Sequence, residues 1–268
     1  LDLYFIEHEY PKAKGHVHFD GTSDTLSGAG KYKVTDNKQY IKFTGGPHIG
    51  TVYDATKNRE SNLKIDGSKG NTVEFWLKKE ADSWSVNQFQ TIFDIHTPGH
   101  SPGDANYGRL RIDIDKPAHS SDGAFLITYV SGTTVVANTR NIVPVNSSPF
   151  DAADGKWHHY AITMATVDSK TKFKFFIDGT LDHTFESSNT IGPVDRPMVG
   201  TIGSLAATTD SHAGSIGDGK LSGSLDEIRF WKEARSEKEI GRFWYSPVHG
   251  GTDNDHTNAN LGLYYKFN

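Results

Sequence analysis

The stretch that most narrows the possible folds is Leu221–Ile240, Leu-Ser-Gly-Ser-Leu-Asp-Glu-Ile-Arg-Phe-Trp-Lys-Glu-Ala-Arg-Ser-Glu-Lys-Glu-Ile. Residues 225 to 231 interleave apolar and aromatic side chains with charges, which suits a pleated strand buried on one or both faces. Ser236 and Glu239 then stand at capping-box spacing, where a hydroxyl and a carboxylate reciprocally satisfy backbone N–H groups at a helix start. The pattern predicts a core strand running into one short helix, with the upstream chain supplying strands to pack around it.

The upstream chain reads that way. Strands are expected at Tyr40–Thr44, Asn62–Asp66, Thr72–Leu77, Gln90–Ile95, Arg109–Asp115, Ala124–Val130, Thr133–Ala137, Lys156–Met164, Lys172–Ile177 and Leu181–Phe185, with a closing strand at Leu263–Phe267. Asp178-Gly179 between two alternating runs is the clearest hairpin signal, because that pair accepts the positive φ angles of a tight turn. In Arg109–Asp115, Leu110, Ile112 and Ile114 alternate with Arg109, Arg111, Asp113 and Asp115, which predicts a sheet with a wet outer face. Residues 1–39, rich in turn formers, read as an N-terminal arm or extra strands, with a strand possible at Leu1–Ile6, and 40–268 as the main domain. Regularly spaced short strands predict an all-β, antiparallel two-sheet sandwich.

Composition removes several function classes. There is no Cys, so no disulfide framework, thiolate metal site or Cys nucleophile exists; the compartment stays open. A net charge of -5 argues against a nucleic-acid surface, and no apolar run is long enough for a membrane span. The chain opens on Leu1 without a visible signal peptide, the expectation for a processed chain or part of a longer polypeptide. No Gly-x-Ser-x-Gly elbow sits between a strand and a helix, and no phosphate loop occurs.

Four motifs in order carry a resemblance: Val-Glu-Phe-Trp at 73–76, Asp-Gly-Lys-Trp-His-His-Tyr-Ala at 154–161, Phe-Phe-Ile-Asp-Gly at 175–179, and Gly-Ser-Leu-Asp-Glu-Ile-Arg-Phe-Trp at 223–231 followed by Ala-Arg-Ser-Glu-Lys-Glu-Ile. Across roughly residues 40 to 245 this resembles the laminin G-like, concanavalin A-like jelly roll. Where that family commonly has Phe-Asp-Gly, this chain has Phe43-Thr44-Gly45, with Phe19-Asp20-Gly21 as a rival match. The resemblance implies a non-catalytic recognition or adhesion module for a glycan or surface protein, extracellular or on a virion surface. The alternatives are a purely structural domain of a phage or surface assembly, and a polysaccharide lyase or glycoside hydrolase. It also implies a structural calcium ion, with Asp226 as ligand and Thr44 and Gly45 offering carbonyls, calcium being a hard ion that takes several oxygens.

Ligand contact is expected from loop aromatics, whose ring faces stack on sugars; Trp84, Tyr107 and Trp244 are the candidates, while Trp76, Trp157 and Trp231 read as core. His158 and His159 are adjacent on a strand, so they point to opposite faces and cannot chelate one ion. His96, His100 and Asp104 share a loop and could form a small metal site. The paired-carboxylate run of the related glucanases is absent; Gln90 and His96 with Tyr264 faintly echo the lyases.

Overall fold

The computed structural model describes residues 16–20, 24–27, 41–45, 62–80, 89–115, 124–137, 151–206, 218–248 and 260–267. In chain order the strands are β1 (His16–Asp20), β2 (Asp24–Ser27), β3 (Ile41–Gly45), β4 (Asn71–Lys78), β5 (Gln90–His96), β6 (Gly108–Ile114) and β7 (Phe125–Ser131). They continue with β8 (Thr134–Ala137), β9 (Trp157–Val167), β10 (Lys170–Ile177), β11 (Thr180–Ser187), β12 (Met198–Ile202), β13 (Ser222–Trp231) and β14 (Leu261–Tyr265). Helix α1 (Glu237–Phe243) lies between the last two.

An eight-stranded sheet runs β11-β10-β9-β4-β13-β1-β2, and a six-stranded sheet runs β3-β12-β5-β6-β7-β8. β14 completes the first sheet on the same side of β13 as β1. Val17 to Asp20 of β1 pair with Leu225 to Ser222, and β14 pairs with Ile228 to Trp231. Neighbours are antiparallel, so each strand sends alternate residues inward. Val73, Phe75 and Leu77 of β4 and Leu110, Ile112 and Ile114 of β6 are thereby buried in the space between the sheets. Aromatic rings join the two layers: Phe93 stacks on Phe230 at 5.9 Å, and Phe125 meets both Tyr160 and Phe175 at 4.9 Å. This is the expected two-sheet jelly-roll sandwich with one short helix.

The local signals work as read. Asp178 and Gly179 take φ 48° and 76°, both positive as a tight β10–β11 turn needs. At α1, Ser236 Oγ accepts the Glu239 N–H while the Glu239 carboxylate accepts the Ser236 N–H at 2.8 Å, closing the capping box. β13 carries a bulge between Asp226 and Arg229, with Glu227 at φ 50°. The added residue lets Leu225 and Ile228 both face the core although they are three positions apart.

Two expectations are corrected. Residues 62–66 form no strand: a turn at 62–63 leads into irregular chain at 64–66 and a second turn at 67–69. Leu63 and Ile65 are buried as their alternation suggested, but the Asp66 carboxylate accepts the Ser68 N–H and hydroxyl, which turns the chain just beyond this segment. The second correction is the face of β6: Arg109, Arg111, Asp113 and Asp115 are 0–3% exposed, so the predicted wet face is buried. Alternation shows which side chains share a face, but not whether that face meets water.

Candidate functional site

On the outer face of the six-stranded sheet the charges neutralise one another. Arg109 Nε and Nη2 donate to both oxygens of Asp94 on β5, at 2.9 and 2.7 Å. Arg111 Nε lies 2.7 Å from Asp113, which also accepts the Thr91 hydroxyl at 2.8 Å. The backbone folds back over this layer, and the Ala206 N–H donates to Asp94 at 2.8 Å. Burial pushes the Asp113 carboxyl up to about 6 against the pull of Arg111. Two carboxylates on neighbouring strands are what a glycosidase needs, yet both are enclosed and committed, one to a guanidinium fork and the other to a guanidinium and a hydroxyl.

The outer face of the eight-stranded sheet holds a second buried cluster, under α1 and the turn that follows it. Glu74 contacts Arg235 at 2.8 Å, His159 at 3.4 Å and Arg229 at 3.5 Å. Burial alone would raise its pKa, but His159 and the two guanidinium charges bring it down to about 2. Arg229 also reaches Glu227 at 2.8 Å and the Ser246 carbonyl at 2.6 Å, and the Tyr264 hydroxyl donates to Glu227. Arg235 lies over the Trp231 ring at 4.3 Å. These groups anchor the segment after α1 and strand β14 to the sheet.

One rim of this sheet combines rings with polar groups. The row across the strands places Asp226 opposite Trp76 and Trp76 opposite His159. Trp244, the residue after α1, packs over that row, with ring centroids 5.5 Å from Trp76 and 6.0 Å from His159. Its indole lies so close to the β10–β11 turn that a Cβ on Gly179 would be 2.2 Å from Trp244 Cδ1. Tyr245 meets Trp244 edge-on at 5.7 Å and is 45% exposed. Beyond the turn, Asp178 accepts the His159 N–H at 2.8 Å and contacts His158 Nδ1 at 2.8 Å, while Asp154 lies 3.4 Å from His158 Nε2. The Asp178 hydrogen bond, with Asp154 behind it, holds the His158 pKa above the usual imidazole value against its partial burial.

The residues singled out from sequence are dispersed. Trp84 lies outside the described residues. Tyr107 is 2% exposed in the turn before β6, where its N–H donates to Asp104 and its carbonyl accepts the Gly132 N–H. Trp244 is 8% exposed, so the ring that reaches solvent here belongs to its neighbour Tyr245. Asp226 sits on β13, whereas Thr44 and Gly45 sit on β3 at the edge of the other sheet, paired with Val199 and Met198. The rival motif fits its place better, since Phe19 and Asp20 lie on β1 beside β13, opposite Gly223 and Ser222.

Asp226 accepts the Glu227 N–H at 2.8 Å, and burial raises its pKa to about 8. Among the described residues no group of three or more His, Asp or Glu side chains is placed to hold a metal ion. His100 contacts Asp104 at 2.8 Å, while His96 Nδ1 turns to the Thr97 carbonyl at 3.2 Å. The Gln90 amide oxygen accepts from Lys79 Nζ at 2.9 Å and from the Ser222 N–H at 3.0 Å, whereas the Tyr264 hydroxyl is held by Glu227 and the Val248 N–H. Sequence reasoning missed Tyr245 and the Asp154–His158–Asp178 bridge. The two Asp-Gly turns pointed to the bridge, since each sets a carboxylate at a strand end beside His158.

The sandwich is similar to several solved structures. Domain 4 of a GH43 extracellular arabinanase from Geobacillus stearothermophilus, solved with arabinotriose, shares 16% identity over 88% of this chain and 100% of its own, with a TM-score of 0.39. The Ruminococcus gnavus IT-sialidase CBM40 shares 12% over 66% and 84% (TM-score 0.41), and mouse laminin α1 domains LG4-5 share 13% over 73% and 42% (TM-score 0.37). No curated protein sequence matches the chain. A family model does, across residues 50–241, the span that holds the Asp-Gly hairpin, Glu74, Asp94, Arg109, Asp113, Arg229 and the capping box that opens α1. With most of its length under that match, the chain belongs to the laminin G branch of the concanavalin A-like lectin/glucanases superfamily.

Proposed function

We propose that this chain is a non-catalytic recognition and adhesion module that binds carbohydrate or a protein partner at a cell or virion surface. The observation that carries the reading is the disposition of the carboxylates on the sheets. Asp94, Asp113, Glu74 and Glu227 are buried and committed to arginines, which leaves no pair among them facing an open cleft as general acid and base. What the described surface offers instead is side chains suited to contact, with aromatic rings at one rim. The solved carbohydrate-binding and laminin domains of similar fold are compatible with this reading.

Calcium enters the proposal only through Asp226. A melting temperature raised by calcium, lowered by EDTA and made insensitive by Asp226→Asn would support a structural ion, since a native-state ligand stabilises by mass action. An unchanged melt would remove it.

The test of the function is a glycan array probed with the whole chain, followed by incubation with whatever it retains. Retention without new reducing ends or unsaturated products is expected. Turnover of a retained glycan would overturn the non-catalytic reading. If no glycan is retained, the carbohydrate half falls and protein recognition is left.

A further inference from the structure

We propose that strand β14 is a latched strap: it opens ahead of the rest of the sandwich, and its opening unties the chain that follows α1. Among the described residues β14 pairs with β13 alone, Tyr265 to Leu261 running opposite Ile228 to Trp231. None of its five residues is fully buried, whereas nine of the ten in β13 are. An element with one paired edge and little buried surface belongs to the low-stability end of a fold.

The two ends of the strap are held differently. At its start the Lys232 N–H donates to the Asn260 carbonyl at 2.8 Å, and the Asn260 amide donates to Glu233 at 2.6 Å. At the other end Phe267 reaches back into the central core, 2% exposed, with its ring stacked 5.7 Å from that of Tyr265. Its φ of 54° is left-handed, a strained conformation for a bulky residue, and such strain collects at switch points. The latch is thus one buried ring whose backbone strain relaxes when it withdraws. Between the ends, Tyr264 carries the opening to the chain after α1. Its hydroxyl donates to Glu227 and accepts the Val248 N–H at 3.1 Å. Withdrawal of β14 removes the acceptor of Val248 and leaves Glu227 to Arg229, which also holds the Ser246 carbonyl.

Native-state hydrogen exchange on the whole chain, followed amide by amide in urea below the unfolding transition, tests the strap. We expect the slowest amides of β14 to exchange at least tenfold faster than those of β4 and β9 and with a weaker urea dependence, because opening β14 exposes less surface than unfolding does. The Val248 amide should exchange in step with β14. Phe267→Ala should speed β14 and Val248 together by at least tenfold, whereas Tyr264→Phe should speed Val248 more than β14. Exchange of β14 at the rate and urea dependence of β4 and β9 would overturn the strap, and this wild-type comparison decides even where a variant fails to fold. A Val248 amide left unchanged while Phe267→Ala speeds β14 would overturn the tie to the chain after α1.

Discussion

Gly179→Ala tests the contact that locks the turn to the segment after α1. The φ of 76° is left-handed, which costs an alanine about 1–2 kcal/mol. The new Cβ would also stand 2.2 Å from Trp244 Cδ1 and 2.4 Å from Nε1, well inside the ~3.5 Å at which such atoms attract. Backbone and indole must separate by more than 1 Å on that scale, loosening Trp244 from Trp76 and His159. Complete loss of a buried tryptophan costs about 3–5 kcal/mol, so partial unpacking adds roughly 1–3 kcal/mol to the backbone cost. The expected total is about 2–5 kcal/mol. In a Trp244→Ala background the clash disappears and only the backbone cost of about 1–2 kcal/mol should remain. Urea unfolding followed by far-UV circular dichroism on the four chains of this cycle measures the difference. Equal costs in the two backgrounds would refute the argument that turn and indole are packed in contact.

Asp94→Asn removes a buried carboxylate charge gripped by the Arg109 fork and should destabilise by about 3–5 kcal/mol, read as a fall in the urea midpoint. Replacing the pair together, as Asp94→Leu with Arg109→Met, should recover much of that loss, since it removes both buried charges. Ser236→Ala breaks the capping box and should cost about 1 kcal/mol in the same assay, with little change in slope. His158 has a folded pKa above its unfolded value, so its contribution is complete below the unfolded pKa near 6.5 and is lost as pH rises through the folded pKa. Unfolding free energy measured from pH 5 to 9 should fall across that window in the wild type, and His158→Asn should flatten the fall.

Much of the architecture was legible because it depends on local chemistry. The β10–β11 hairpin follows from Asp178-Gly179, and the helix start from Ser236 and Glu239. The inward faces of β4, β6 and β10 follow from alternation, whose period equals that of the pleat. Asn62–Asp66 shows the limit: alternation identified Leu63 and Ile65 as interior, but the segment forms no strand and the Asp66 carboxylate turns the chain just beyond it. The rim was half legible. The segment around Trp244 was identified, but a helix end turns side chains by about 100° per residue, so the residue that reaches solvent depends on how α1 docks. That docking is set by contacts with residues far away in sequence, Trp76, His159 and Gly179.

By itself, the sequence of this protein determined the fold class, the strand faces and the one helix, because propensity, periodicity and turn chemistry act over a few residues. Only the tertiary structure decided that the Arg–Asp rows of β6 are buried, that Asp226 lies on a different sheet from Thr44 and Gly45, and that Tyr245 rather than Trp244 reaches water. Each of these depends on what an element packs against. Burial of a charge and convergence of a site belong to pairs of strands distant in the chain, and no local pattern encodes them.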